Sequence, residues 1–315
     1  MLHLGIDVGG TKIAAGLVDH NHNIVAERII PTNVVGGQDA IAADIVRLVQ
    51  NLLADYELEA QSIPYIGIGC PGTIDRKNGI VKYANNLRFE NVRLVEPIMD
   101  ALSQPVYIEN DANCAGMGEY LCHPDSGKLQ SFVMITLGTG IGSAAVLDGK
   151  LYRGFNGAAP ELGHCIVEAN GLLCDCGAHG CWEMYCAGHA LIAKALEEAI
   201  REPGSLMWEL AGGNRENIDG KCVFEAYRHG DHTAKRVLEH YLYYFKVGIA
   251  NVINTFQPEV LSLGGGICDQ GSILLETAVE AVRTGSYCKT VQPARVEHAK
   301  LGAKAGIIGA AFLCG

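Results

Sequence analysis

The chain has 315 residues, 49% of them apolar and 19% charged, with a formal net charge of −11 and a pI near 5.4. That length predicts two packed lobes and that composition excludes a largely disordered chain, while the acidic balance excludes broad nucleic-acid or anionic-membrane binding and favours a small-molecule partner. The 12 cysteines would suit a disulfide scaffold in a small secreted domain, but the size of this chain and the lack of a basic, then apolar leader predict reduced thiols and a cytoplasmic location.

Residues 2–7 are apolar, Gly9 and Gly10 turn the chain, and residues 13–18 are apolar again, which predicts a β-hairpin. Its turn reads Asp7-Val8-Gly9-Gly10-Thr11-Lys12: two glycines let backbone N–H groups approach phosphate, and a hydroxyl and an ammonium follow. Residues 39–56 carry Ile41, Ile45, Leu48, Val49, Leu52 and Leu53 at helical period, a stripe that buries one face. Short apolar runs at 65–69 and 105–108 end at Pro71-Gly72 and at Glu109-Asn110-Asp111-Ala112-Asn113, where a parallel sheet delivers chemistry from its C-terminal edge. Asp111 beside Asn110 suits a base that accepts a hydroxyl proton during phosphoryl transfer. Spacing alone favours a helix N-cap within 109–113 over that role.

A second apolar–glycine–apolar pattern follows, with residues 132–137, the turn Gly138-Thr139-Gly140, and residues 141–147. Its glycines suit two strands and a turn rather than a membrane helix. Neither glycine turn has the spacing of a P-loop or of GxGxxG. Each alone reads as well as an ordinary turn as a phosphate loop, but their matching places suggest a duplicated lobe with two jaws on one polyphosphate. His164, Cys174, Cys176 and Cys181 form H-x9-C-x-C-x4-C, a tetrahedral donor set for structural zinc with no open position. Glu161 and Glu183 bracket this knuckle and are suited to vicinal sugar hydroxyls. Residues 231–256 predict the longest helix, stopped by Pro258, and residues 260–263 a strand ending in Gly264-Gly265-Gly266.

At these motifs the sequence resembles the ROK family of bacterial sugar kinases and related repressors, within it the glucokinase branch, over nearly the whole chain. The resemblance rests on residues 4–12, 109–113, 137–142 and 161–164, the CxCGxxGCxE run from Cys174 to Glu183, and residues 263–266. It implies an α/β protein with a duplicated ribonuclease-H-like (actin/hexokinase-type) fold, two lobes around an ATP-binding cleft, Mg2+ on the nucleotide, structural Zn2+ and a homodimer. The expected division is a small lobe of residues 1–113 plus about 300–315 and a larger lobe of 114–299 carrying the knuckle and the dimer surface.

Carried across by residue, Asp111 is the base, and Asn85, Asn86, Asn110, Glu161, His164 and Glu183 face the sugar, which of Asn85 and Asn86 points inward being open. His164 joins Cys174, Cys176 and Cys181 on zinc. Asp7, Gly9, Gly10, Thr11 and Lys12 match the first phosphate loop, Gly138 and Thr139 the second, and Gly265 and Gly266 lie near adenosine. Two departures bear on the sugar: Pro160 stands where the family has glycine, and Ala187 where many glucokinases carry Ser or Thr. The expected activity is phosphorylation of the 6-hydroxyl of glucose by ATP. N-acetylmannosamine, fructose or allose as substrate, and polyphosphate as donor, stay open. A family repressor or silent sugar sensor is the rival; the first phosphate loop starting at residue 4, the acidic charge and the intact Asp111 argue against both.

Overall fold

The computed structural model describes residues 1–313; the last two positions, part of the expected small lobe, lie outside the described residues. The chain forms two compact units, one of residues 1–130, 144–160 and 300–315, the other of residues 131–143 and 161–299. Among the described residues no helix is long and apolar enough to cross a membrane.

The first unit opens with β1 (His3–Val8), β2 (Lys12–Val18), β3 (Ile24–Pro31), α1 (Gly37–Asp55) and β4 (Ile66–Cys70). It continues with short strands β5 (Thr73–Asp75), β6 (Ile80–Ala84) and β7 (Phe89–Arg93), then α2 (Val95–Leu102), β8 (Val106–Asn110) and α3 (Asp111–Leu121). The main sheet runs β3-β2-β1-β4-β8, with β1 and β2 antiparallel as the expected hairpin and β1, β4 and β8 parallel. β4 is buried at every position and β1 at residues 4–6, as expected of parallel strands covered on both faces. α1 buries the whole predicted stripe, from Ile41 to Leu53. β5, β6 and β7 make a small antiparallel sheet, and the turn Asn85–Leu87 joins β6 to β7.

The chain then forms β9 (Ser131–Leu137), β10 (Ile141–Leu147), β11 (Lys150–Leu151), α4 (Glu183–Cys186), α5 (Gly188–Arg201), α6 (Leu206–Leu210), α7 (Gly220–Arg228), α8 (His232–Phe256), β12 (Val260–Gly264), α9 (Ile273–Gly285), β13 (Arg295–His298) and α10 (Lys304–Ala311). The second sheet runs β11-β10-β9-β12-β13, with β10 and β11 antiparallel and β9, β12 and β13 parallel. This repeats the succession of the first sheet, a meander followed by parallel strands, as internal duplication predicts. α8, at 25 residues, is the longest helix among those described. Asp231 caps its start by accepting from the Ala234 N–H at 2.7 Å, and Pro258 follows its end. α10, apolar on every side, belongs to the first unit and is buried along residues 305–311.

Candidate active site

The parallel register of the first sheet sets Asp7 beside Gly69, Gly69 beside Glu109, and Cys70 beside Asn110, so the ends of β1, β4 and β8 carry one cluster of polar groups. Glu109 is fully buried, and a buried carboxylate must be paired. Arg153 Nε lies 2.6 Å and Arg76 Nε 3.0 Å from its Oε2. Its Oε1 accepts from the Asn110 backbone N–H at 2.9 Å and from Asn113 Nδ2 at 3.1 Å, which holds the start of α3 in place. The N-cap alternative raised by the sequence falls to a neighbour: Asn110 Oδ1 accepts from the Asn113 N–H at 3.0 Å. Asp111 is therefore the first helical residue and not the N-cap.

Asp111 Oδ1 accepts from Asn110 Nδ2 at 3.0 Å and from the Ala112 N–H at 2.9 Å. Desolvation nonetheless raises its pKa, and these hydrogen bonds only partly oppose the rise. Asp7 is pushed up to about 6, by burial first and then by the nearby charge of Asp111, with Lys12 pulling the other way. Two carboxylates thus share a region that resists holding both negative charges. Next to Asp7 the first glycine turn closes with Gly9 N–H donating to the Lys12 carbonyl at 2.9 Å, leaving Thr11 and Lys12 exposed. Of Asn85 and Asn86, both exposed, Asn86 lies over this turn: a Cβ on Gly10 would stand 3.2 Å from Asn86 Cβ.

The second unit carries its own cluster. The donor atoms of His164, Cys174, Cys176 and Cys181 all lie within 4.8 Å of one another. Cys176 and Cys181 sulfurs are 3.5 Å apart, and His164 Nδ1 is 3.6 Å from the Cys174 sulfur. Three sulfurs and an imidazole at this spacing fit one tetrahedral zinc ion. The knuckle is anchored by Trp182, buried and stacked on Phe245 of α8 with ring centroids 6.3 Å apart. Glu161 is exposed at the turn Leu162–His164, whose Leu162 N–H donates to Ser143 Oγ at 3.1 Å, and the Ala159–Pro160 peptide is cis. Ala187 is the N-cap of α5 without a side-chain cap, the place a Ser or Thr hydroxyl would fill.

The second glycine turn and the glycines after β12 lie together: the Ile267 N–H reaches the Leu137 carbonyl at 3.3 Å. A Cβ on Gly138 or on Gly266 would meet nothing within 4 Å, and neither residue has a left-handed backbone. Neither packing nor torsion requires glycine at these two positions, and glycine there leaves the backbone open to close approach. Glu183 packs under the same turn, its Oε2 accepting from the Ile141 N–H at 2.7 Å.

In the first unit Asp7 and Asn110 stand at the ends of a set of adjacent parallel strands, and in the second the four knuckle donors lie together and Glu183 meets the second glycine turn. Arg76, Arg153 and His189, whose Nδ1 lies 2.9 Å from the Thr139 carbonyl oxygen, were not singled out by the sequence. Their partners stand 33, 44 and 50 positions away, and pairing over such distances leaves no local pattern to read.

The model of the ROK family matches residues 3–315. The glucokinase of Streptomyces coelicolor is 35% identical over 315 residues, covering 99% of this chain and 97% of that one. Among solved structures, a ROK family glucokinase from Streptomyces griseus in complex with glucose and AMPPNP is similar with a TM-score of 0.83 and 35% identity, covering 99% of both chains. The ROK hexokinase from Thermus thermophilus is similar with a TM-score of 0.85 and 30% identity, covering 99% of this chain and 97% of that one.

Proposed function

Since the chain belongs to the ROK family, we propose that it is an ATP-dependent glucokinase of the actin/hexokinase-like fold, transferring the γ-phosphoryl group to the 6-hydroxyl of glucose. The observation that carries the reading is Asp111: capping falls to Asn110 and charge pairing to Glu109, so its carboxylate keeps the capacity to accept a proton. Its raised pKa strengthens it as a base. As the sugar oxygen forms its bond to the γ-phosphorus, the bond to the β-phosphate oxygen breaks and the hydroxyl proton passes to Asp111.

Asn110, Glu161, His164 and Glu183 hydrogen-bond the sugar in this reading, with Asn86 the member of its pair on the sugar side. His164 would hold zinc through Nδ1, the nitrogen turned to Cys174, and Nε2–H would then be a donor for a sugar hydroxyl. Gly9, Gly10, Thr11, Lys12, Gly138 and Thr139 serve the phosphates in this reading, and Gly265 and Gly266 the adenosine. Magnesium, for which Asp7 is a candidate carboxylate, would supply positive charge to the phosphates. The eleven free cysteines among the described residues favour a reducing cytoplasm, and glucose phosphorylation would stand at the entry of glucose breakdown. Exposed Ile166, Leu172 and Leu173 on the knuckle offer an apolar surface for the homodimer that the family resemblance implies.

Product analysis tests the reading. With ATP, magnesium and glucose, phosphorus NMR should show glucose 6-phosphate and ADP appearing one for one. Glucose 1-phosphate, or ADP without sugar phosphate, would contradict it.

A further inference from the structure

The second glycine turn is fastened from one side by the segment 183–189, directly after the last cysteine of the knuckle. Glu183 Oε2 accepts from the Ile141 N–H at 2.7 Å, and the Gly188 N–H donates to the Gly138 carbonyl at 2.8 Å. His189 Nδ1 lies 2.9 Å from the Thr139 carbonyl oxygen. A carbonyl oxygen can only accept, so this contact requires the proton on Nδ1. A Cβ on Gly140 would come within 2.5 Å of Glu183 Oε2, so glycine there admits the carboxylate to the turn. Three successive peptide groups are thereby held, and the free N–H groups of the turn keep one orientation.

We propose that His189 is a positioning residue for the nucleotide: by holding the Thr139 carbonyl it fixes the second glycine turn in the orientation that receives the phosphates. The proposal rests on the kinase reading. Glu183 is the second strap, its Oε2 committed to the turn and Oε1 left for the hexose. His189 is exposed, so its removal leaves the core intact.

His189→Ala and His189→Asn test this, with AMPPNP affinity measured by calorimetry, KM for ATP and for glucose measured separately, and melting temperature as control. One hydrogen bond is worth about 1 kcal/mol, so His189→Ala should weaken AMPPNP binding and raise the KM for ATP about fivefold. The KM for glucose and the melting temperature should stay unchanged. His189→Asn, whose Nδ2–H can replace Nδ1–H, should recover most of the loss. Unchanged AMPPNP affinity in His189→Ala, a parallel rise in the KM for glucose, or an Asn variant no better than Ala would overturn the proposal. If the wild-type protein binds no AMPPNP, the kinase reading falls with it.

Discussion

Glu109, Asn110 and Asp111 are consecutive and do three different things, which only their partners reveal. Glu109 is neutralised by two arginines, Asn110 caps α3, and Asp111 is left with a carboxylate that burial makes reluctant to ionise. Asp7 shows the cost of gathering acids in one place. Its folded pKa of about 6 stands above its ordinary 3.8, so the folded state binds a proton more tightly than the unfolded chain. Stability from this group is fully present below the ordinary value and is lost as pH rises through about 6. Asp7→Asn removes that loss. Its stability relative to wild type should therefore climb between about pH 4 and 7 and level off above, in denaturant titrations at a series of pH values. A stability difference that stays flat across this range would show that Asp7 titrates normally in the folded protein.

At the scale of elements, loops that carry chemistry are held by neighbours built from other parts of the sequence. The knuckle donors sit close enough to share one ion, and Trp182 ties them to α8. Glu183, two residues beyond Cys181, reaches the second glycine turn. Purified protein should therefore contain one zinc per chain by elemental analysis. Removing it by chelation, or substituting Cys176→Ser, should lower melting temperature and glucose affinity together. Full activity and unchanged melting in a metal-free protein would refute the site. Elements with strong periodicity, such as α1 and α8, were legible in the sequence because burial of one face is written at fixed spacing. The knuckle was legible because its ligands lie close in the chain. Arg76, Arg153 and His189 were not, since their roles arise only when folding brings distant segments into contact.

For the molecule as a whole, the repeated strand succession of the two sheets supports a duplicated lobe, and each unit presents glycine turns at the ends of its strands. In the proposed reading selectivity is a matter of polar pairing: a missing or inverted hydroxyl would leave a polar group of the protein unsatisfied, a discrimination that can reach about four powers of ten in rate in tight sites. The direct test is an ADP-release assay on the purified protein with magnesium, using glucose, mannose, fructose, allose, N-acetylglucosamine and N-acetylmannosamine, with ATP or polyphosphate as donor and Asp111→Asn run alongside. The account predicts the highest kcat/KM for glucose with ATP, and a kcat at least about a hundredfold lower in Asp111→Asn with sugar binding kept. An N-acetylated hexosamine preferred tenfold over glucose would contradict the substrate, and a variant with near wild-type kcat, or no hexose-dependent ADP release at all, would contradict the account itself.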